Sequence, residues 1–104
     1  MQNEEISKYL NEAENHLRNE LLPFWTNRMI DERNGGYITH FDRDGLDTGE
    51  DEKSLIAQSR SVYTLSSAHR AGYGDGALAG MAKHGVNFMI DKMWDKEYGG
   101  FYWM

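Results

Sequence analysis

The chain has 104 residues, 17 of them acidic and 11 basic, a formal net charge of −6 and no cysteine. These values favour one small globular domain, or a portion of a larger one, and exclude disulfides and thiolate metal sites. The acidic balance, with no basic stripe and no run of about 20 apolar residues, predicts no nucleic-acid partner and no membrane span, and the lack of a secretory signal favours a cytoplasmic protein.

The amino-terminal segment 3–22 is predicted to form an amphipathic helix. Six apolar residues recur at helical spacing on one face of it: Ile6, Tyr9, Leu10, Ala13, Leu17 and Leu21. Pro23 cannot donate a backbone hydrogen bond to the preceding turn, so it should kink or restart the helix. The Asn-Gly-Gly sequence at 34–36 then ends the helical structure.

The next segment, GGYITHF, alternates side chains in a pattern typical of a strand. A tight Asp-Arg-Asp-Gly turn and an acidic loop follow it. The spacing of His40, Asp42, Asp44 and Asp51 partly imitates the calcium-binding loop of an EF-hand. The imitation fails because histidine holds the first ligand position and aspartate replaces the bidentate glutamate at the last. We therefore expect no metal site.

A second helix is predicted from about 54 to 71, and its pattern differs from that of the first. Apolar residues lie around much of its circumference, and no acidic residue occurs between Glu52 and Asp75. Such a helix is typically surrounded by protein. The guanidinium of Arg60 is costly on a buried helix unless it is paired or faces a polar cavity. The residues alone leave a buried ion pair and a ligand contact equally open.

The third predicted helix, from about 76 to 94, leads into a second Gly-Gly pair. Five residues recur at one constant offset (88 − 24 = 64): Phe24, Met29, Asp31, Gly35 and Gly36 match Phe88, Met93, Asp95, Gly99 and Gly100. Self-similarity at a fixed spacing indicates a repeat architecture, in which neighbouring units stack to bury their apolar faces. This interpretation places repeat unit one at about 1–64 and a shortened unit two at about 65–104.

Four segments, in this order and spacing, resemble the amino-terminal quarter of the N-acylglucosamine 2-epimerase family. They are LLPFW, the run from 34 to 45, KSLIAQSRSVYTLSSAHR and KEYGGFYWM, and within the family they are most similar to the cellobiose 2-epimerase group. The resemblance implies an all-α fold, a partial (α/α)6 barrel with short β-hairpins at one end. Six units of this period would need roughly 380 residues. We therefore expect residues 1–104 to be the amino-terminal portion of a single barrel domain.

The activity that this resemblance implies is inversion of C2 in the reducing-end glucose of cellobiose-type β-1,4-disaccharides, through an enediolate and without a cofactor. The alternatives on the same fold are N-acylglucosamine 2-epimerisation and aldose–ketose isomerisation. Arg60 matches the family's substrate-contacting arginine and is the expected catalytic residue. The family's acid/base histidines match none of the four histidines here, so the isolated chain is expected to be inactive. His16 and His84 are predicted to be solvated on outer helices.

Tyr102 and Trp103 are further expected substrate-binding residues, because aromatic rings suit the apolar faces of pyranoses. The alternative for both is packing on the barrel rim. A rival function of another class is a non-catalytic helical module that binds carbohydrate or assembles with itself. The epimerase interpretation predicts exposed apolar surface on the second helix, the helix that carries Val62 and Leu65, and self-association through exposed helix faces.

Overall fold

A computed structural model describes residues 3–49, 52–74 and 76–103. Four α-helices supply most of the regular structure: α1 Asn3–His16, α2 Leu22–Arg28, α3 Leu55–Arg70 and α4 Ala77–Phe88. Two π-helical turns, Leu17–Leu21 and Met89–Met93, extend α1 and α4. No extended strand occurs in the described ranges, and the predicted all-α class is confirmed. No helix in these ranges is both long enough and apolar enough to cross a membrane.

The amino-terminal helix accommodates Pro23 through its π-helical turn. The backbone N–H of Leu22 donates to the carbonyl of Leu17, five residues back, and Pro23 then lies in the first turn of α2. A proline ring clashes with the carbonyl four residues before it, and a wider turn relieves that clash. In place of the predicted kink or restart at Pro23, the backbone stays helical and passes from the π-helical turn directly into α2.

The strand predicted over GGYITHF is wrong, because the two Gly-Gly segments form turns closed by single antiparallel bridges. The bridges of these two turns pair Ile30 with Tyr37 and Trp94 with Phe101, and a third bridge, between Phe41 and Asp47, closes the Asp-Arg-Asp-Gly turn at 42–45. Gly35 and Gly36 both have left-handed φ angles, 83° and 71°, which reverse the chain at once. The backbone of Tyr37 then bonds to a side chain of α3 instead of to a neighbouring strand.

The core lies where α3 and α4 pack against each other and against the first Gly-Gly turn. Its buried side chains are Met29, Tyr37, Leu65, Ala68, Leu78 and Ala82. Met29 and Tyr37 come from the turn, and Tyr37 is fully buried. The turn is therefore part of the core and not a surface connection, so it fixes where α3 lies.

One face of α3 is uncovered within the described residues, although the sequence predicts a helix surrounded by protein. Tyr63 on that face is 73% exposed. Ile56 of the same helix is 41% exposed, so the predicted exposed apolar surface on the helix that carries Val62 and Leu65 is confirmed. Those two side chains themselves are covered: Leu65 is buried and Val62 packs against the core. The reason is that α4 covers the side of α3 to which these two residues belong. The apolar stripe of α1 is also open, with Leu10 58% exposed.

The two Gly-Gly turns share the same main-chain hydrogen bonds, 64 residues apart. In each turn an aspartate, Asp31 or Asp95, uses Oδ1 to accept the backbone N–H groups two and three residues ahead. The same aspartate bonds through its backbone to both following glycines. Ile38 donates to Met29, and Tyr102 donates to Met93, to close the two turns. The offset seen in the sequence therefore holds for backbone geometry as well.

Candidate functional site

A groove of about 300 Å³ lies between the amino-terminal helix and α3, and Arg60 is part of its wall. The other residues lining it are Leu17, Leu21, Leu22, Trp25, Met29, Thr39, Ser61, Thr64 and Leu65. The amino-terminal helix contributes apolar side chains, whereas α3 contributes the cation and two hydroxyls. A mostly apolar concavity with a few polar groups on one side is typical of a small-molecule site.

Arg60 is exposed on the open face of α3, so the predicted burial of its guanidinium is wrong for this chain. It is open because α4 packs against the face of α3 that carries Leu65 and Ala68. The ion-pair alternative is not observed either, since Arg60 has no acidic partner among the described residues. A guanidinium stays protonated in proteins and presents five N–H donors. Arg60 can therefore donate to oxygen atoms of a ligand in the groove.

The start of α3 is held by two hydrogen bonds. The Ser54 hydroxyl accepts the backbone N–H of Ala57 at 3.1 Å, and the N–H of Leu55 donates to the carbonyl of Trp103 at 2.8 Å. The first N–H groups of a helix have no partner within it, so both contacts satisfy groups that would otherwise lack one. They place the helix start five residues before Arg60.

Gln58 ties α3 to the first Gly-Gly turn. Its side chain is fully buried; Oε1 accepts the N–H of Tyr37 at 2.9 Å, and Nε2 donates to the carbonyl of Tyr37 at 3.1 Å. A neighbouring strand would make this same pair of bonds. Gln58 is two residues before Arg60, and Thr39 on the facing wall is two residues after Tyr37. The clamp therefore sets the separation between Arg60 and the wall that carries Thr39.

A buried ion pair links the segment before α3 to the same turn. Lys53 Nζ lies 2.8 Å from Asp31 Oδ2, and the two side chains are 7% and 8% exposed. Burial alone would raise the pKa of Asp31. The hydrogen bond from Lys53, its charge, and the backbone N–H groups of Asn34 and Arg33 outweigh that effect, so the pKa of Asp31 is lowered. Asp31 is therefore a charged structural group and not a proton donor.

The helix α4 holds the turn from its other side. The Tyr37 hydroxyl donates to the carbonyl of Met81 at 2.6 Å, and burial raises the pKa of Tyr37 to about 12, despite an opposing backbone hydrogen bond from Gly85. His84 Nε2 donates to the carbonyl of Gly36 at 2.8 Å. The prediction that His84 is solvated is wrong, because α4 lies against the turn and half-buries the ring. His16 is exposed, as predicted, and pairs with Glu20.

Tyr102 and Trp103 lie in the second Gly-Gly turn and do not line the groove around Arg60. Their side chains are 50% and 62% exposed. Trp103 reaches α3 through its backbone carbonyl, which accepts from the backbone N–H of Leu55. The described residues therefore bring Trp103 to the helix that carries Arg60 without bringing the two side chains into one pocket.

The acidic loop has the geometry of a turn. The carboxylate of Asp42 accepts the backbone N–H groups of Asp44 and Leu46. Asp51, the last ligand position of the imitated calcium loop, lies outside the described residues. In the ranges that are described, no group of three His, Asp or Glu side chains could hold a metal ion.

Sequence reasoning did not identify Trp25, Thr39 or Gln58 as residues of this region. Gln58 had a readable signal, because it occupies the same helical stripe as Val62 and Leu65 and is the polar member of that stripe. Trp25 and Thr39 had none, since their place in the groove depends on how the amino-terminal helix and the turn pack against α3.

Comparison with known proteins relates this arrangement to sugar isomerases. Residues 36–104 match the family model of N-acylglucosamine 2-epimerase (GlcNAc 2-epimerase). The cellobiose 2-epimerase of Bacteroides fragilis is 34% identical over 98 residues, which cover 88% of this chain and 23% of that protein. A mannose-6-phosphate isomerase of Rhizobium meliloti is 32% identical over 98 residues, covering 94% of this chain and 22% of that protein.

A solved structure gives the same result for the fold. The cellobiose 2-epimerase of Bacillus thermoamylovorans matches with a TM-score of 0.82 and 33% identity, over 94% of this chain and 25% of that one. Such structures are (α/α)6 barrels, so the predicted partial (α/α)6 barrel is confirmed. The chain spans about a quarter of the length of the relatives that it matches.

Proposed function

Because the chain belongs to the N-acylglucosamine 2-epimerase family, we propose that residues 1–104 are the amino-terminal part of a sugar 2-epimerase. The proposed reaction reversibly converts the reducing-end glucose of cellobiose-type β-1,4-disaccharides to mannose. The cellobiose 2-epimerases among the relatives support this substrate. The single observation in this chain that carries the proposal is Arg60, which is exposed and has no acidic partner among the described residues, in the wall of a mostly apolar groove.

The chemistry requires removal of the proton at C2 of the open-chain sugar and its return on the opposite face. The intermediate is an enediolate, whose negative oxygens are stabilised by donors that are already in position. Arg60 can supply such donors, since a guanidinium forms short charge-assisted hydrogen bonds to anionic oxygens. Each step is a proton transfer, so no cofactor is required. The acid and base groups are proposed to belong to the part of the enzyme beyond these 104 residues, and the isolated chain should not turn over substrate.

Aromatic side chains give the proposed site its affinity for sugar rings. Trp25 lines the groove and is 38% exposed, so its ring is available to an apolar pyranose face. Tyr102 and Trp103 are proposed substrate contacts on the second turn, where their rings are exposed. Both would contact a sugar that extends from the groove past the start of α3.

The alternative with a specific observation behind it is aldose–ketose isomerisation. A mannose-6-phosphate isomerase is among the relatives, at 32% identity. Both reactions pass through the same enediolate: a proton returned to C2 gives the epimer, whereas a proton returned to C1 gives the ketose. The family description also keeps N-acylglucosamine as an alternative substrate. Arg60 would have the same role in all three reactions.

The test uses a full-length enzyme that contains this chain, with Arg60→Ala compared with Arg70→Ala, an exposed arginine at the end of the same helix. Loss of one donor to the enediolate should lower kcat by about 10²–10³, whereas Arg70→Ala should leave it unchanged. Proton NMR in D2O follows deuterium entry at C2 and identifies each product. Matching thermal melts of the two variants show that folding is not the cause.

Three results are distinguished by this experiment. Turnover by Arg60→Ala that equals turnover by Arg70→Ala removes Arg60 from the site. A ketose product in place of the C2 epimer selects the isomerase alternative. Carbohydrate binding by the parent enzyme with no exchange at C2 favours the non-catalytic module.

A further inference from the structure

The second Gly-Gly turn repeats the geometry of the first, but no described part of the chain covers it as α3 and α4 cover the first. Tyr37 in the first turn is 0% exposed, whereas Phe101, its equivalent 64 residues later, is 44% exposed. The carboxylate of Asp31 is paired with Lys53. Its equivalent, Asp95, is partly exposed and pairs with no cation among the described residues. The same backbone structure is thus present once covered and once open.

The cover of the first turn is a helix pair with a definite chemistry. Lys53, two residues before α3, pairs with Asp31. Gln58 of α3, five residues after the lysine, bonds to both backbone groups of Tyr37. The second helix lays the ring of Phe88 on the glycines, so closely that a side chain on either glycine would meet it. These contacts bury an acid, two main-chain polar groups and an aromatic ring together.

We propose that the second turn is a docking surface for another helix pair of this kind, supplied by the part of the longer enzyme that residues 1–104 do not span. Its lysine pairs with Asp95 and its glutamine, five residues later, bonds to both backbone groups of Phe101. Apolar side chains of the helix pair cover the rings of Trp94 and Phe101. These two rings pack edge to face, with their centroids 5.1 Å apart. The proposal uses family membership and not the proposed reaction.

The occupant follows from two facts. The relatives are about four times as long as this chain, so the family has ample chain to provide a second helix pair. A second copy of residues 1–104 suits the surface poorly, because its Lys53 and Gln58 already bond to its own first turn. In the first turn the Tyr37 hydroxyl donates to the carbonyl of Met81. Phe101 has no hydroxyl, so the docked helix pair needs no carbonyl acceptor at the equivalent position.

The probe is a synthetic peptide with the sequence of residues 52–88, which contains Lys53 and Gln58 and no tryptophan. Binding to the 104-residue chain is followed by the fluorescence of the chain's own tryptophans and by hydrogen exchange of its amides. We expect saturable binding and slower exchange of the Phe101 amide. The proposal also predicts that Asp95→Asn weakens binding about tenfold or more, since a partly buried charge pair is lost.

Two controls separate this pairing from general stickiness. Asp95→Asn keeps the side-chain oxygen that accepts the backbone N–H groups of the turn, so it removes the charge without removing those bonds. The control, Glu97→Gln, removes a neighbouring exposed charge and should bind the peptide like the parent. A peptide with Lys53→Met should bind the parent chain as weakly as the unaltered peptide binds Asp95→Asn. Combining both changes should weaken binding no further, because the two groups act on each other.

A fusion of the same 52–88 sequence after residue 104 tests the contact at high effective concentration. If neither the peptide nor the fusion slows exchange at Phe101, the proposal is wrong. It is equally wrong if Asp95→Asn binds like Glu97→Gln. Protection of Phe101 that rises with chain concentration, with no peptide present, would instead assign the surface to a second copy. None of these measurements depends on turnover, so failure here leaves the proposed reaction untouched, and the reverse is also true.

Discussion

Two glycines in α4 should respond in opposite ways to the same change, glycine to alanine. A Cβ atom at Gly85 would overlap the hydroxyl and ring of Tyr37, whereas one at Gly80 would meet nothing within 4 Å. Tyr37 cannot move aside easily, because Gln58 holds its backbone and Met81 holds its hydroxyl. Glycine at 85 therefore lets α4 approach the first turn, and the glycine at 80 has no such task.

Alanine is favoured over glycine inside a helix by about 1 kcal/mol, so Gly80→Ala should stabilise the chain by up to that amount. Overpacking a tightly filled core typically costs about 1–3 kcal/mol, and the pinned ring at Tyr37 places Gly85→Ala at the upper end. Once the helical gain is subtracted, Gly85→Ala should destabilise the chain by about 2 kcal/mol. The unfolding free energies of the two variants should therefore differ by about 3 kcal/mol.

The assay is urea-induced unfolding of the chain followed by circular dichroism, with both variants and the parent in one buffer. Tyr37→Leu provides the cycle that identifies the cause: without the ring, Gly85→Ala should cost less than it does in the parent. Equal stability of Gly85→Ala and Gly80→Ala would refute the reasoning. If Gly85→Ala destabilises the Tyr37→Leu variant as much as it destabilises the parent, the Tyr37 ring is not the cause of the loss.

Three further predictions concern the groups that hold the first turn. Gln58→Met leaves the buried N–H and carbonyl of Tyr37 unpaired, and each unpaired group costs about 1–3 kcal/mol. Urea unfolding should therefore show a loss of stability of about 2–6 kcal/mol. A variant as stable as the parent would contradict the clamp. The lowered pKa of Asp31 means that its contribution is present above about pH 4, the unfolded value, and is lost as pH falls through the folded value. The parent should therefore lose more stability in acid than Asp31→Asn, and parallel curves would count against the buried pair. The pKa of Tyr37, raised to about 12, means that its contribution is present below about pH 10 and is lost as pH rises towards 12; Tyr37→Phe should lack that alkaline decline.

The sequence by itself determined the features that depend on neighbouring residues. Apolar spacing predicted the helices, and Ser54 stands just before α3 as its cap. The offset of 64 was visible because the same local turn needs the same aspartate and glycines in the same order. Each of these signals is contained within a few residues, so no knowledge of packing was required to see it.

Only the tertiary structure decided which faces are covered and which polar groups meet. Gln58 bonds to a backbone 21 residues away and His84 to one 48 residues away. The position of α4 buries Leu65 and leaves Arg60 open, which reverses the burial that the apolar pattern of the helix predicted for Arg60. The physical reason is that helical periodicity states how residues are spaced around one axis, whereas burial and hydrogen-bond partners depend on which second element packs against that axis, and at what distance.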